Sequence, residues 1–188
     1  MPRIDPNSLQ NLQERVIKTN KVSKTHKGGK TASWNALVVV GDGEGHVGVA
    51  LGKARAIPDA IRKGTEAAKK SLIRVPLVDR TIPHEVVCSE GACTVVLRPA
   101  APGTGVVAGG SVRAILEAAG IQDVLAKTLG SHNAVNTAWV TIKALKMLKH
   151  PKQVVEARGI PSEQLSARWA AAVAASAMSS EAENVGEA

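Results

Sequence analysis

The sequence contains no Phe or Tyr and only three Trp among its 188 residues. Modules that recognise single-stranded nucleic acid stack bases on exposed aromatic rings. Since only Trp34, Trp139 and Trp169 could serve, a stacking platform such as an RNA-recognition motif is disfavoured. The hydrophobic content of 44% still suffices for a folded core, which must consist mainly of Val, Ile, Leu and Ala.

Cysteine and long apolar runs are also scarce. Cys88 and Cys93 have no further Cys or His at ligand spacing, so free thiols are favoured over a zinc site or a disulfide. No apolar run approaches the roughly 20 residues that a membrane span needs. The first ten residues resemble neither a signal peptide nor a transit peptide. We therefore expect a cytoplasmic protein with no membrane partner, no metal and no cofactor.

Acidic residues are few where basic residues are many. Of the formal net charge of +8, residues 15–74 carry +9, residues 75–150 carry +2, and both ends of the chain are slightly negative. A basic protein need not bind nucleic acid, but such a protein would not ordinarily concentrate its whole excess in one third of its length. This asymmetry predicts a nucleic-acid partner for the N-terminal half.

The basic region is densest between Asn20 and Lys30. Four lysines recur there at every third position, so an extended chain would direct them alternately to both faces of a strand. A Gly-Gly pair permits a tight turn. A solvated lysine loop is the plain alternative, but the surrounding charge favours a projecting hairpin that contacts RNA through Lys21, Ser23, Lys24, Thr25, His26, Lys27, Gly28, Gly29 and Lys30.

Residues 9–74 are predicted to form an α-β-β-β-α unit resembling a double-stranded-RNA-binding domain. Ser8 would cap a helix over Leu9–Lys18, and strands are predicted over Trp34–Val40 and Val47–Leu51. A second helix begins near Pro58. Its apolar face would pack on the sheet, and its opposite face would present a basic ridge of Arg62, Lys63, Lys69 and Lys70.

Residues 75–159 form a second predicted unit, with a linker and first strand over 75–80 and a helix that Ser111 would cap. Val140 and Met147 lie off the main apolar stripe of its longest helix, which suggests a protein-docking surface. Residues 1–8 are expected to be flexible, and 160–188 a loosely helical or disordered acidic tail. The predicted elements of this unit are strands 82–88, 92–97 and 124–129 and helices 111–119 and 133–149.

A glycine-rich stretch raises an enzymatic alternative. Gly103–Ala108 fits a relaxed dinucleotide fingerprint, and Asp123 follows at a suitable distance, but Asp123 would begin a strand instead of ending one. Gly105 and Gly110 have P-loop spacing, yet no lysine precedes Ser111. Structural glycines, or a helix N-terminus facing RNA phosphate, are better interpretations.

A second polar segment precedes the last predicted helix. Ser131 and Asn133 can cap that helix or contact an RNA phosphate, and the sequence alone leaves both interpretations open.

Several motifs together resemble one known family. They are VSKTHKGGK, ALVVVGDGEGHVGVALGKAR, PGTGVVAGGSVRAILEAAGIQDVLAKTLGS and the N-x-x-N that follows. In collinear order from about Leu9 to Gly159, they resemble bacterial small-ribosomal-subunit protein five. The chain departs from that family at Ala32, Val49 and Leu51, where Phe or Tyr is common, so a repacked core is expected.

The resemblance implies a two-domain α+β protein whose C-terminal β-α-β unit has a left-handed crossover. It implies a structural, non-enzymatic role: binding small-subunit ribosomal RNA, contacting ribosomal proteins four and eight, and influencing decoding accuracy near the path of messenger RNA. The basic loop, Val22–Lys30 here, would lie beside the spectinomycin site, and Lys53 and Arg55 are further expected RNA contacts. The alternative function is a kinase-like enzyme that binds phosphate with its glycine loop. For the RNA-binding function no small-molecule substrate is expected.

Overall fold

The computed structural model describes residue 9 and residues 11–159, which form two four-stranded sheets and four helices. This mixed arrangement agrees with the predicted α+β class. The expectations for residues 1–8 and for the tail 160–188 lie outside the described residues. The N-terminal unit consists of β1 Gln13–His26, β2 Gly29–Gly41, β3 His46–Ala54, α1 Ile57–Lys70 and β4 Ile73–Arg74, with its antiparallel strands in the order β1-β2-β3-β4.

The C-terminal unit consists of β5 Val86–Glu90, β6 Cys93–Pro99, β7 Val106–Val107, α2 Gly110–Ala118, β8 Val124–Gly130, α3 Ala134–Met147 and α4 Pro151–Arg158. Its strand order is β5-β6-β8-β7, and β7 and β8 pair in parallel across α2, which is a β-α-β connection. The left hand of that connection stays a prediction. The buried cysteines Cys88 and Cys93 are both free thiols.

The predicted helix over Leu9–Lys18 is wrong. From Gln13 onward these residues form the first part of β1 and pair with β2, so the described order is β-β-β-α followed by a short strand. A helix of about ten residues is marginal without packing, whereas the ladder satisfies the same backbone groups. The pairing shifts between Val16 and Lys18, and this bulge leaves Ile17 packed against the core.

Three smaller predictions in the C-terminal unit are also corrected. The strand predicted over 82–88 begins only at Val86, and the strand predicted within 75–80 is reduced to one isolated bridge between Val78 and Thr81. Gly109, not Ser111, is the N-cap of α2, and no side chain caps that helix. In contrast, β8 and α3 lie close to their predicted positions.

The inner part of the N-terminal sheet is buried on both faces, because the second half of β2 contributes alternate residues to two cores. Val38 and Val40 pack with Ala60 and other residues of α1. Leu37 and Val39 point to the opposite face and join the core of the C-terminal unit. One continuous core therefore spans the two predicted domains.

A tight junction joins the units where α2 ends. The N–H groups of Gly43 and Gly45, in the turn between β2 and β3, donate to the carbonyl oxygens of Ala118 and Ala119 at 3.1 and 3.0 Å. These bonds satisfy carbonyls that the end of a helix would leave without partners. Glu117, on the same helix, forms ion pairs with Arg113 on α2 and with Arg15 on β1, which hold its pKa below the usual value.

The turn itself is organised by Asp42, whose carboxylate is almost fully buried. It accepts hydrogen bonds from the N–H groups of Glu44 and His46, at 2.8 and 3.0 Å, and Nδ1 of His46 lies 2.5 Å from Oδ2. Burial by itself would raise the pKa of Asp42, but these bonds outweigh it and hold that pKa below the ordinary 3.8.

We expect Asp42→Asn to lower the free energy of unfolding by about 2 kcal/mol at neutral pH, because hydrogen bonds to a charged acceptor are lost. A depressed pKa stabilises the fold above the unfolded-state pKa, and this contribution is lost as the pH falls below about 4 through the folded-state pKa. Urea unfolding of the native protein and of Asp42→Asn at pH 7 and at pH 3 measures this contribution. An equal difference between native and variant at both pH values would contradict this account.

Candidate nucleic-acid interface

The predicted basic hairpin is present as a continuous two-stranded projection. The ladder of β1 and β2 extends to the pair His26 and Gly29, which leaves Lys27 and Gly28 as the turn. Every residue from Ser23 to Lys30 is exposed. No acid occurs between Arg15 and Gly41, and none of the four hairpin lysines has an ion-pair partner among the described residues. The projection is therefore a concentration of uncompensated positive charge.

The two glycines at the tip of the hairpin, Gly28 and Gly29, differ in backbone conformation. Gly29 has a φ of +148°, whereas Gly28 does not lie in the positive-φ region. A Cβ on Gly28 would have nothing within 4 Å. Gly28 can therefore be replaced without backbone strain, and only Gly29 requires glycine for its conformation.

Register assigns the hairpin residues to two faces. Val38 faces α1, so the alternate positions Ala36 and Trp34 do as well, and Lys21 is the neighbour of Trp34 on β1. The Lys21 ammonium lies 5.9 Å from the Trp34 ring centroid, a cation–π distance. The other face of the hairpin turns toward the C-terminal unit and carries Lys24.

The ridge on α1 is less uniform than its sequence suggests. Arg62 pairs with Glu66 at 3.1 Å, and Lys69 pairs at 3.0 Å with Glu14 of β1. Lys63 and Lys70 are exposed and have no ion pair within the described part of the chain. These two lysines are consequently the better candidates for phosphate contacts, while Arg62 and Lys69 are partly neutralised.

Lys53 and Arg55 lie where β3 ends and the chain continues to α1, and both are exposed. Lys53 belongs to β3, and Arg55 stands just before Ala56, the N-cap of α1. Their position extends the basic surface from the base of the hairpin to the start of α1.

Ser131 and Asn133 act as a helix cap. The Asn133 Oδ1 accepts a hydrogen bond from the Val135 N–H at 3.1 Å, and Ser131 Oγ accepts from the Asn133 N–H at 3.4 Å. Capping therefore engages both side chains, and an RNA contact by either residue stays a prediction.

The two residues of α3 predicted to dock a protein, Val140 and Met147, differ in exposure. Val140 is only 1% exposed and belongs to the core, so its assignment to a protein interface is wrong. Helix α3 packs against both α2 and the sheet, and its buried side is therefore wider than one stripe. Met147 is 51% exposed and remains a candidate contact.

Sequence reasoning missed one basic cluster. A cleft of about 390 Å³ between β1 and α2 is lined by Arg15, Lys18 and Arg113 among others. The two arginines are paired with Glu117, but Lys18 has no ion pair among the described residues. Lys18 extends the three-residue lysine spacing by one step, which was a usable signal. The erroneous helix prediction obscured it.

The glycine loop has a structural explanation. Asp123 is 2% exposed, and its Oδ1 accepts a hydrogen bond from the Gly105 N–H at 2.8 Å. The spacing had suggested Asp123 as a ribose ligand of a dinucleotide site. In the structure its carboxylate instead holds the glycine loop in place. Over the described ranges there is no group of three or more potential metal ligands. Those same ranges contain no helix long and apolar enough to span a membrane.

Two small α+β units share one core, and a basic hairpin projects from the first of them, which is the arrangement expected of a protein that contacts a polyanion. Comparison with known proteins identifies the family. Residues 12–76 match the family described as ribosomal protein S5, N-terminal domain, and residues 89–158 match ribosomal protein S5, C-terminal domain. The chain belongs to the ribosomal protein S5 family.

Two relatives agree with this assignment. The chain is 54% identical over 166 residues to small ribosomal subunit protein uS5 of Chloroflexus aurantiacus, covering 88% of this chain and 93% of the relative. It is 53% identical over 157 residues to the protein of the same name from Nocardia farcinica, covering 84% and 72%. The family is ribosomal and structural, so the chain is a non-enzymatic component of the ribosome in the cytoplasm, and the kinase-like alternative is excluded.

Proposed function

We propose that this chain binds small-subunit ribosomal RNA, chiefly through phosphate contacts made by its N-terminal unit. The observation that carries the proposal is the hairpin, whose four lysines are exposed and lack acidic partners among the described residues. Without a bound polyanion, only water solvates the charges of these lysines. Lys53, Arg55, Lys63 and Lys70 are further exposed basic residues of the same unit.

The proposal includes a role in subunit assembly and in translational accuracy, near the path by which messenger RNA enters. Contacts with ribosomal proteins four and eight belong to the same proposal and are supported by the family resemblance. On α3, Met147 and Trp139 are exposed large apolar side chains at 51% and 42%. Desolvating such side chains favours contact with a neighbouring protein.

The salt dependence of binding tests the proposal. A transcript of small-subunit ribosomal RNA is titrated with the full chain at several salt concentrations. The double variant Lys63→Ala/Lys70→Ala should reduce the log–log salt slope by about two units, since roughly one unit is lost for each phosphate contact removed. Affinity at low salt should fall by about tenfold or more.

A matched control removes the same charge from another surface. Arg98 and Lys143 pair with Glu85 and Glu90 in the C-terminal unit, at 3.0 and 3.3 Å. The control variant Arg98→Ala/Lys143→Ala should leave the slope within half a unit of native, on the order of measurement error. Equal slopes for all three proteins, or no binding of the transcript, would refute phosphate recognition by the N-terminal unit.

A further inference from the structure

The face of the hairpin that turns toward the C-terminal unit carries an ordered set of polar side chains. Leu37 on β2 marks the rim of the shared core on this face. Asn35 is the next residue of β2 on this face, toward the tip of the hairpin. It pairs with Asn20 of β1 on one side and with Lys53 of β3 on the other, which makes a single row across three strands. Cross-strand partners share a face, so the two amides and the lysine lie side by side.

Positive charge flanks this amide row along β1. Lys18 is the partner of Leu37 on the inner side, and Lys24 is the partner of Thr31 on the outer side. Both lysines lie on the same face as Asn20, and six residues of strand separate them by about 20 Å. The hairpin contains no acid, so this face offers hydrogen-bonding amides between two cations.

Asn35 has an unusual deficit. Its Oδ1 is buried from solvent and has no hydrogen-bond partner. A buried acceptor without a donor is destabilising, and such atoms are rare in folded proteins. The side chain as a whole is only partly buried, so rotation of the amide can bring this oxygen to the outer side of the row. A donor from outside could then pair with it and remove the deficit.

We infer that the row Asn20–Asn35 is a ribose reader, which distinguishes RNA from DNA by hydrogen bonds to 2′-hydroxyl groups. The inference rests on the proposed function and adds specificity to it. A 2′-hydroxyl is both donor and acceptor, which matches an amide that presents an acceptor oxygen and a donor NH₂ group. Lys18, Lys24 and Lys53 hold the adjoining phosphates, and these contacts carry no preference for ribose.

Competition binding tests this reader directly. The full chain is bound to a labelled transcript of small-subunit ribosomal RNA and displaced with an unlabelled RNA duplex or a DNA duplex of identical sequence. The native chain should prefer the RNA competitor by about tenfold, and Asn35→Val should reduce that preference by about fivefold, as expected for one lost hydrogen bond. The salt slope should not change, because no phosphate contact is removed.

Three further variants make the result decisive. Asn35→Thr replaces the amide with a hydroxyl, which can also donate and accept, and should retain an intermediate preference for RNA. Thr19→Val, on the α1 side of β1, should behave as native. Asn20→Val tests the second amide and replaces Asn35→Val if that variant does not fold. The ribose reader is overturned if the native chain binds the RNA and DNA competitors equally well. It is also overturned if folded Asn35→Val or Asn20→Val keeps the native preference for RNA. Loss of transcript binding by the native chain would instead overturn the proposed function.

Discussion

Reversing the charge of Lys24 and Lys27 together is expected to weaken binding of small-subunit ribosomal RNA by about a hundredfold. Each substitution removes a candidate phosphate contact and places a carboxylate against the polyanion, for which a loss of about tenfold per lysine is expected at low salt. Both side chains are exposed and lack ion-pair partners among the described residues. The melting temperature of the free protein should therefore hardly change.

Neutral variants separate charge from shape. Lys24→Ala/Lys27→Ala should lose less affinity than Lys24→Glu/Lys27→Glu, because it removes contacts without adding repulsion. Lys146→Glu/Lys149→Glu, at two exposed lysines of the C-terminal unit, changes the net charge by the same four units and serves as the control. A lowered melting temperature together with native affinity would mean that the hairpin lysines serve the fold instead of RNA.

The same double reversal extends to the cell. If the hairpin lies beside the spectinomycin site, as we propose from the family resemblance, cells carrying only Lys24→Glu/Lys27→Glu should show altered sensitivity to the drug and fewer mature small subunits. Drug sensitivity and sucrose-gradient profiles measure these effects. Native drug sensitivity with reduced RNA affinity would confine the effect of the loop to assembly.

Gly120→Ala is expected to destabilise the protein by about 3–5 kcal/mol, the largest stability effect that we predict. Gly120 ends α2 with a φ of +82°, a conformation that a side chain disfavours. A Cβ there would also lie 1.9 Å from the carbonyl oxygen of Gly43, in the turn that caps α2. Backbone cannot yield without breaking the junction, so both penalties apply.

Gly103 provides a control matched in backbone conformation. Its φ is +87°, but a Cβ would meet nothing within 4 Å. Gly103→Ala should cost only about 1–2 kcal/mol, and the difference between the two variants isolates the clash at the junction. Urea unfolding measures both. Similar losses in the two variants would mean that the junction relaxes, and that the two units are less tightly joined than their shared core indicates.

Local sequence determined several features by itself. The hairpin follows from regularly spaced lysines and a Gly-Gly pair, and α1 follows from Pro58 and an apolar stripe, because turn chemistry and helical periodicity act over a few residues. The excess of positive charge in residues 15–74 is likewise evident from the sequence alone. Collinear motifs such as VSKTHKGGK were enough to indicate the family to which the chain belongs.

Tertiary structure alone decided other features. Gln13–Lys18 became strand because β2 offered a partner, and Ile17 entered the core through a bulge that no local pattern announces. Val140 was buried because α3 packs on two sides, and Lys69 was neutralised by Glu14, distant in sequence. Pairings between residues far apart in the chain depend on how whole elements pack, so local periodicity and charge patterns could not reveal them.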